Sequence, residues 1–230
     1  MQNDPRQAQM EEIWRLTTTT DVGQQRLAMS SEPWLIESAR REDGTELRVK
    51  FEDGRKKEEI PLWERRQRFI QARRYLFAQA ESARMKASSW RKFYVGTALL
   101  AFREGYKHED SWRVFTGMNM KQAENMRTVC SEPIALAAAI LEGYDLVIGQ
   151  TVVGEKLAEQ AGTTLHPCRN CRWCMHEFMN DERPKLRIID KHTIVHTAFP
   201  MQSENAGISE TQSVEELFAF HREKSGDDFA

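Results

Sequence analysis

All four cysteines of this 230-residue chain, Cys130, Cys168, Cys171 and Cys174, fall within one short stretch. A secreted disulfide framework would spread its cysteines along the chain, so this clustering favours metal or redox chemistry in a reducing compartment. Cys168-Arg169-Asn170-Cys171 is a C-x-x-C, a spacing at which two thiolates take adjacent corners of a tetrahedron around Zn²⁺. Upstream, Cys130-Ser131-Glu132 sets a third thiol two residues from a carboxylate, and Pro167 precedes the C-x-x-C. Three thiolates leave the fourth position on zinc for water, whose pKa the metal lowers towards about 7. Glu132 would then share the cavity without binding the metal and could move protons. Three other readings compete. Cys174 or His166 could complete a purely structural zinc site, the C-x-x-C could be a redox pair, or the thiols could be buried and inert. Only the first reading uses Glu132 and Pro167, and it carries the most weight. Cys174, three residues after Cys171, reads as a small buried hydrophobe on the same helix.

These groups need elements to hold them. Cys130 to Leu141 is small and apolar and reads as a helix ended by Gly143. Cys168 to Met179 reads as a second helix, whose N-terminal dipole helps keep thiolates ionised. Strands are expected at Phe93–Phe102, Trp112–Gly117, Tyr144–Thr151, Leu186–Ile189 and Thr193–His196, with a last helix over Val214–Arg222. This makes an α/β domain of about five strands with helices on both faces, spanning 62–230. Before it, residues 33–61 read as a small β-meander with Asp43-Gly44 and Asp53-Gly54 as turns and a last strand at Glu58–Pro61. Residues 1–32 read as a flexible N-terminal segment.

The chain carries a net charge of −2 with 40 % hydrophobic residues, which excludes wholesale disorder and a uniformly basic nucleic-acid coat. The longest apolar run, Ile134–Leu141, is about a third of a membrane span, so no membrane partner is expected. The first thirty residues lack the apolar centre of a signal peptide, which predicts a cytoplasmic protein. Charge is uneven, however. Residues 62–92 form a helix-led segment with nine Lys and Arg against two Glu. That segment reads as a solvated face of an amphipathic helix, with a track for nucleic-acid phosphates, Trp63, Tyr75 and Trp90 as stacking groups, as the alternative.

C-x-E followed by P-C-x-x-C resembles the zinc deaminase signature, with Cys in place of the commoner His as first ligand. The resemblance to the cytidine deaminase family extends further. Ser89, Phe93, Val95-Gly96 and Ala98-Leu99-Leu100 resemble its first-strand motif, and Phe115-Thr116-Gly117-Met118-Asn119 resembles its F-T-G-x-N strand end. Pro167-Cys168, Cys171-Arg172 and Glu177-Phe178 resemble P-C-x-x-C-R and the E-F beyond it. The likeness covers roughly residues 70 to 220. It implies a three-layer α/β/α sandwich with a five-stranded mixed sheet, Zn²⁺ on Cys130, Cys168 and Cys171, and hydrolytic deamination of a cytosine-type base. Glu132 would carry the protons, Phe93 would stack on the base, and Asn119 would bond the sugar. The family's assembly also implies a homo-oligomer, a dimer or tetramer.

Departures from the family pattern bear on substrate. Lys121 stands where the family's N-x-E-N has a Glu that grips ribose, and an ammonium cannot accept a hydroxyl proton. Lys121 would instead meet a phosphate or carboxylate, or lie solvated in a loop. Pro133 replaces the Arg that often offsets thiolate charge, which leaves Arg172 for that role. Cys130-Ser131-Glu132-Pro133 is also similar to blasticidin S deaminase-like members, which act on aminonucleosides. The substrate expected is therefore a small cytosine-type nucleoside, nucleotide or modified nucleoside. The alternatives are single-stranded nucleic acid, or a non-catalytic zinc-stabilised interaction module.

Overall fold

The computed structural model describes residues 54–107 and 110–226. The N-terminal segment 1–32 and the first two meander strands lie outside the described residues. The third meander strand is not formed. Lys57–Glu59 is a 3₁₀ turn, in which Glu59 reaches back to accept from the Lys56 N–H (2.9 Å). Pro61 then caps the first long helix, and Ile60 is buried beneath it.

That helix, α1, spans Leu62–Arg84. It is followed by strands β1 (Val95–Phe102) and β2 (Trp112–Met118), and helix α2 (Ser131–Leu141). Strand β3 (Leu146–Gly154), helix α3 (Arg169–Asn180), strands β4 (Ile194–Ala198) and β5 (Ser209–Ser213), and helix α4 (Val214–Ser225) complete the order. The five strands form one sheet in the order β2-β1-β3-β4-β5. Only β3 and β4 run parallel, joined through α3, and the other neighbours are antiparallel. The sheet is therefore mixed, and helices cover both faces, as an α/β/α sandwich requires.

The central strands are apolar on both sides because both sides are covered. Ala98, Leu100 and Phe102 of β1 pack with Phe69, Leu76, Phe77 and Ala80 of α1. Leu99 and Ala101 face the other way, towards Ala135, Leu136 and Ala139 of α2, Met175 of α3 and Leu217 of α4. A register shift between Leu100 and Ala101 marks a bulge in the β1–β3 pairing.

Two expectations are corrected. Leu186–Ile189 is not a strand. Pro184–Leu186 forms a 3₁₀ turn, and Ile188 and Ile189 enter the core from an irregular segment tied by the Val147 N–H to the Ile188 carbonyl. Proline offers no N–H to a ladder, which favours the turn. Strand β5 went unread because Ser209-Glu210-Thr211-Gln212-Ser213 has no apolar residue to alternate. It is an edge strand, and its sequence signal is the capping box that follows, with Ser213 and Glu216 bonding reciprocally. No helix among the described residues is long and apolar enough to cross a membrane.

Candidate metal centre and substrate cavity

Two helix N-termini converge on the cysteines. Cys130 is the N-cap of α2 and Cys168 the N-cap of α3, with Cys171 one turn inside. The α2 N-terminus lies directly on β2. A side chain at Gly117 would come within 2.0 Å of the Ser131 carbonyl oxygen, so only glycine permits this approach. Helix α3 is held from below by Met175, which is fully buried.

The three sulfurs lie within 4.8 Å of one another, with 3.7 Å between Cys130 and Cys168 and 3.4 Å between Cys168 and Cys171. Zinc–sulfur bonds of about 2.3 Å at tetrahedral angles set sulfurs about 3.8 Å apart. The donor set therefore fits Zn²⁺ in both type and spacing. Without a cation the three cannot ionise together. The neighbouring thiols of Cys130 and Cys171, then the N–H groups of Cys171 and Asn170, hold Cys168 down as a thiolate at about 2. Contact with Cys168 pushes Cys130 up to about 12, and contact with Cys130 pushes Cys171 up. A divalent cation removes this conflict, which is the physical case for a metal here. Cys174 packs against the α2-side core, apart from the cluster, and burial pushes its thiol up to about 11.

Glu132 is 4 % exposed and lines the same cleft as the three thiols. Burial, then the Cys168 thiolate, raises its pKa, while the Ser131 hydroxyl donates to its Oε2 (2.9 Å) and opposes the rise. Thr97 on β1 lies 2.8 Å from the Ser131 hydroxyl and anchors it. The cleft has a cavity volume of about 70 Å³ and opens to solvent. Phe93 and Asn119 line it, and so do Thr128, Gln160, Leu165 and His166. The Asn119 amide is already engaged. Its oxygen accepts from the Val95 N–H (2.8 Å) and its nitrogen donates to the Phe93 carbonyl (2.8 Å), which fixes the entry of β1 and the Phe93 backbone. One lone pair and one N–H remain for a ligand.

Lys121 is not among the lining residues. It sits in a short parallel ribbon, Ser88–Ser89 with Met120–Lys121, and its carbonyl accepts from Trp90. Arg172 is buried, and its guanidinium donates to the Pro167 carbonyl, which puts a cation beneath the C-x-x-C turn. Four of the nine basic residues of segment 62–92 are paired or buried, while Lys86, Arg91 and Lys92 are exposed. Arg65 pairs with Asp190, Arg84 with Glu81, and Arg68 with Glu64 and the Trp112 face, while Arg73 and Trp63 are buried.

Sequence reasoning missed Glu210 and His221. His166 Nε2 lies 3.0 Å from Glu210 and its Nδ1 3.0 Å from His221 Nε2. Only the position of His166 beside Pro167 pointed here from the sequence, since its two partners are 44 and 55 residues away.

The family model described as "Cytidine and deoxycytidylate deaminase zinc-binding region" matches residues 70–183. Among solved structures, cytidine deaminase from Burkholderia pseudomallei is 28 % identical over 62 % of this chain and 92 % of its own, with a TM-score of 0.44. Cytidine deaminase from Mycobacterium tuberculosis is 20 % identical over 62 % and 89 % (TM-score 0.40), and that from Mycobacterium leprae 20 % over 62 % and 92 % (TM-score 0.39). The family match spans both arms of the site, Cys130-x-Glu132 and Pro167-Cys168-x-x-Cys171. Residues 70–183 of this chain are therefore similar to the cytidine and deoxycytidylate deaminase zinc-binding region.

Proposed function

We propose that the protein is a zinc-dependent hydrolytic deaminase of a cytosine-type base carried on an uncharged nucleoside. The observation that carries the proposal is Glu132. A structural zinc site needs no acid, yet here a carboxyl is buried beside three thiols in an open cleft. Zinc on Cys130, Cys168 and Cys171 would supply a Lewis acid that activates water at neutral pH. Glu132 would take a proton from the attacking water and deliver it to the ring nitrogen beside the amino-bearing carbon. It would then help protonate the amine as ammonia leaves. Ser131 and Thr97 hold that carboxyl in one orientation, so little ordering is left for the reaction itself. Phe93 would stack on the base, and the free N–H and lone pair of Asn119 would meet the sugar.

The cleft supports a nucleoside over a nucleotide. Among the described residues its lining holds no lysine or arginine, so a phosphate would lack a cation. The ion pairs of Arg65 and Arg84 and the burial of Arg73 likewise disfavour a polynucleotide track along that face of α1. Thiolate ligands suit a reducing compartment, the cytoplasm in this proposal. Homo-oligomerisation belongs to the same proposal, and Trp173, 54 % exposed on α3, offers an apolar contact.

The test is to measure zinc per chain and then ammonia release from cytosine, cytidine, deoxycytidine, their monophosphates and aminonucleoside analogues. Glu132→Gln should keep zinc and lose turnover by about 10²–10⁴-fold. Turnover retained in that variant would sink the mechanism. Intact zinc with no deamination of any of these compounds would favour an interaction module instead.

A further inference from the structure

The connection from β3 to α3, residues 155–167, contains no helix or strand, yet it delivers both His166 and Cys168. Cys130 is set by α2 lying on Gly117, and Cys171 by α3 packing on the core. Nothing comparable in regular structure sets the approach to Cys168. A segment of this kind holds one shape only if its polar groups find fixed partners.

Arg172 holds the end of the segment through the Pro167 carbonyl, and the stretch before it converges on a single carboxylate oxygen. Glu210 Oε2, on edge strand β5, accepts from the N–H groups of Thr163 (2.9 Å) and Thr164 (2.7 Å) and from the Thr164 hydroxyl (2.7 Å). His166 Nε2 lies 3.0 Å from the same oxygen. The Thr164 hydroxyl also meets Thr197 on β4, which binds the segment to a second strand. An ionised carboxylate only accepts, so the His166 proton sits on Nε2. Its Nδ1 then accepts from His221 Nε2 (3.0 Å), and His221 Nδ1 accepts from the Ser225 hydroxyl (3.3 Å). One set of tautomers satisfies the bonds from His166 to Glu210, from His221 to His166 and from Ser225 to His221. With both nitrogens used, His166 lines the cleft without a free ring nitrogen. Gly162, at φ +91°, leaves room for that ring, since a side chain there would come within 2.6 Å of Nε2.

We propose that Glu210 is a positioning residue of the metal centre, tying β5 to the segment that carries His166 and Cys168. Glu210 and His221 touch neither the thiols nor the cleft, so they act through Thr163, Thr164 and His166. Outer partners of this kind tune how firmly a metal is held.

The test uses the zinc-loaded full chain and reads zinc loss to excess chelator, together with the absorption spectrum of the cobalt-substituted protein. Glu210→Gln and Glu210→Ala should release zinc about tenfold faster than the unaltered protein and shift the thiolate-to-cobalt band. Ser213→Ala is the control. It removes the α4 cap at the end of the same strand without touching residues 163–168, so it should lower Tm yet release zinc at the unaltered rate. If Glu210→Ala does not fold, the isosteric Glu210→Gln decides alone. An unchanged release rate and cobalt band in Glu210→Gln overturns the proposal. So does Ser213→Ala releasing zinc as fast as the Glu210 variants, because general destabilisation then explains the loss. Both readouts are independent of whether any cytosine compound is turned over.

Discussion

Gly117→Ala tests how the fold sets the chemistry. The added Cβ would lie 2.0 Å from the Ser131 carbonyl oxygen and 2.9 Å from the Ala135 nitrogen. Side-chain carbons do not approach other heavy atoms closer than 3.0 Å, so the first turn of α2 must retreat from β2 by about 1 Å or more. That turn begins at Cys130 and holds Glu132, while Cys168 and Cys171 ride on α3 and do not move with it. A misplacement of about 1 Å costs about 10²-fold in rate. Overpacking itself costs about 1–3 kcal/mol, or several degrees in Tm for a chain of this size. Gly149→Ala separates the two effects. Its Cβ would meet Phe69 and Ile194 on the α1 face, at 2.6 and 2.9 Å, away from the cysteines. It should lower Tm comparably, with kcat/KM within about threefold of the unaltered protein. Thermal melts, zinc content and steady-state ammonia release are to be measured on both variants. A folded Gly117→Ala protein with full zinc and unaltered kcat/KM would refute the claim that the glycine contact positions the site.

His196 predicts an acid-sensitive fold. Burial, and then the Arg73 charge, hold its folded pKa near 3 against 6.5 in the unfolded chain. Between those values the unfolded chain binds more protons, so stability falls as pH falls, by about 2 kcal/mol from pH 7 to pH 5. His196→Asn should remove most of this slope in a Tm-versus-pH series, and parallel slopes would contradict the assignment. Chelation of zinc should expose one fast-reacting thiol, because Cys168 is the exposed member of the cluster and holds the thiolate. Cys168→Ala should abolish that fast phase, and its survival would place the thiolate elsewhere.

The central elements were legible because apolar periodicity is written locally. Cys130 to Leu141 and Phe93 to Phe102 appear within a residue or two of their structural bounds. Strand β5 was not legible, since an edge strand of five polar residues carries no alternation, and its pairing with β4 decides it. The Leu186–Ile189 strand failed for the opposite reason. Its isoleucines are buried, but they reach the core from an irregular segment rather than a ladder. Lys121 was read as a substrate contact, but its backbone lies in a short ribbon and it is not among the residues that line the cleft.

The sequence by itself singled out the three thiols that cluster and the carboxyl beside them. C-x-E and P-C-x-x-C are local patterns, and each is read from one helix start. Only the tertiary structure decided that the two starts meet, with sulfurs 3.4 and 3.7 Å apart. It also decided that Asn119 spends half its amide on Phe93 and Val95, and that Arg65, Arg68, Arg73 and Arg84 of α1 are paired or buried rather than presented. Glu210, His166 and His221 belong wholly to this second group. Their contacts join the β3–α3 connection to the last strand and helix, and such long-range pairings follow from how the sheet closes, not from spacing along the chain.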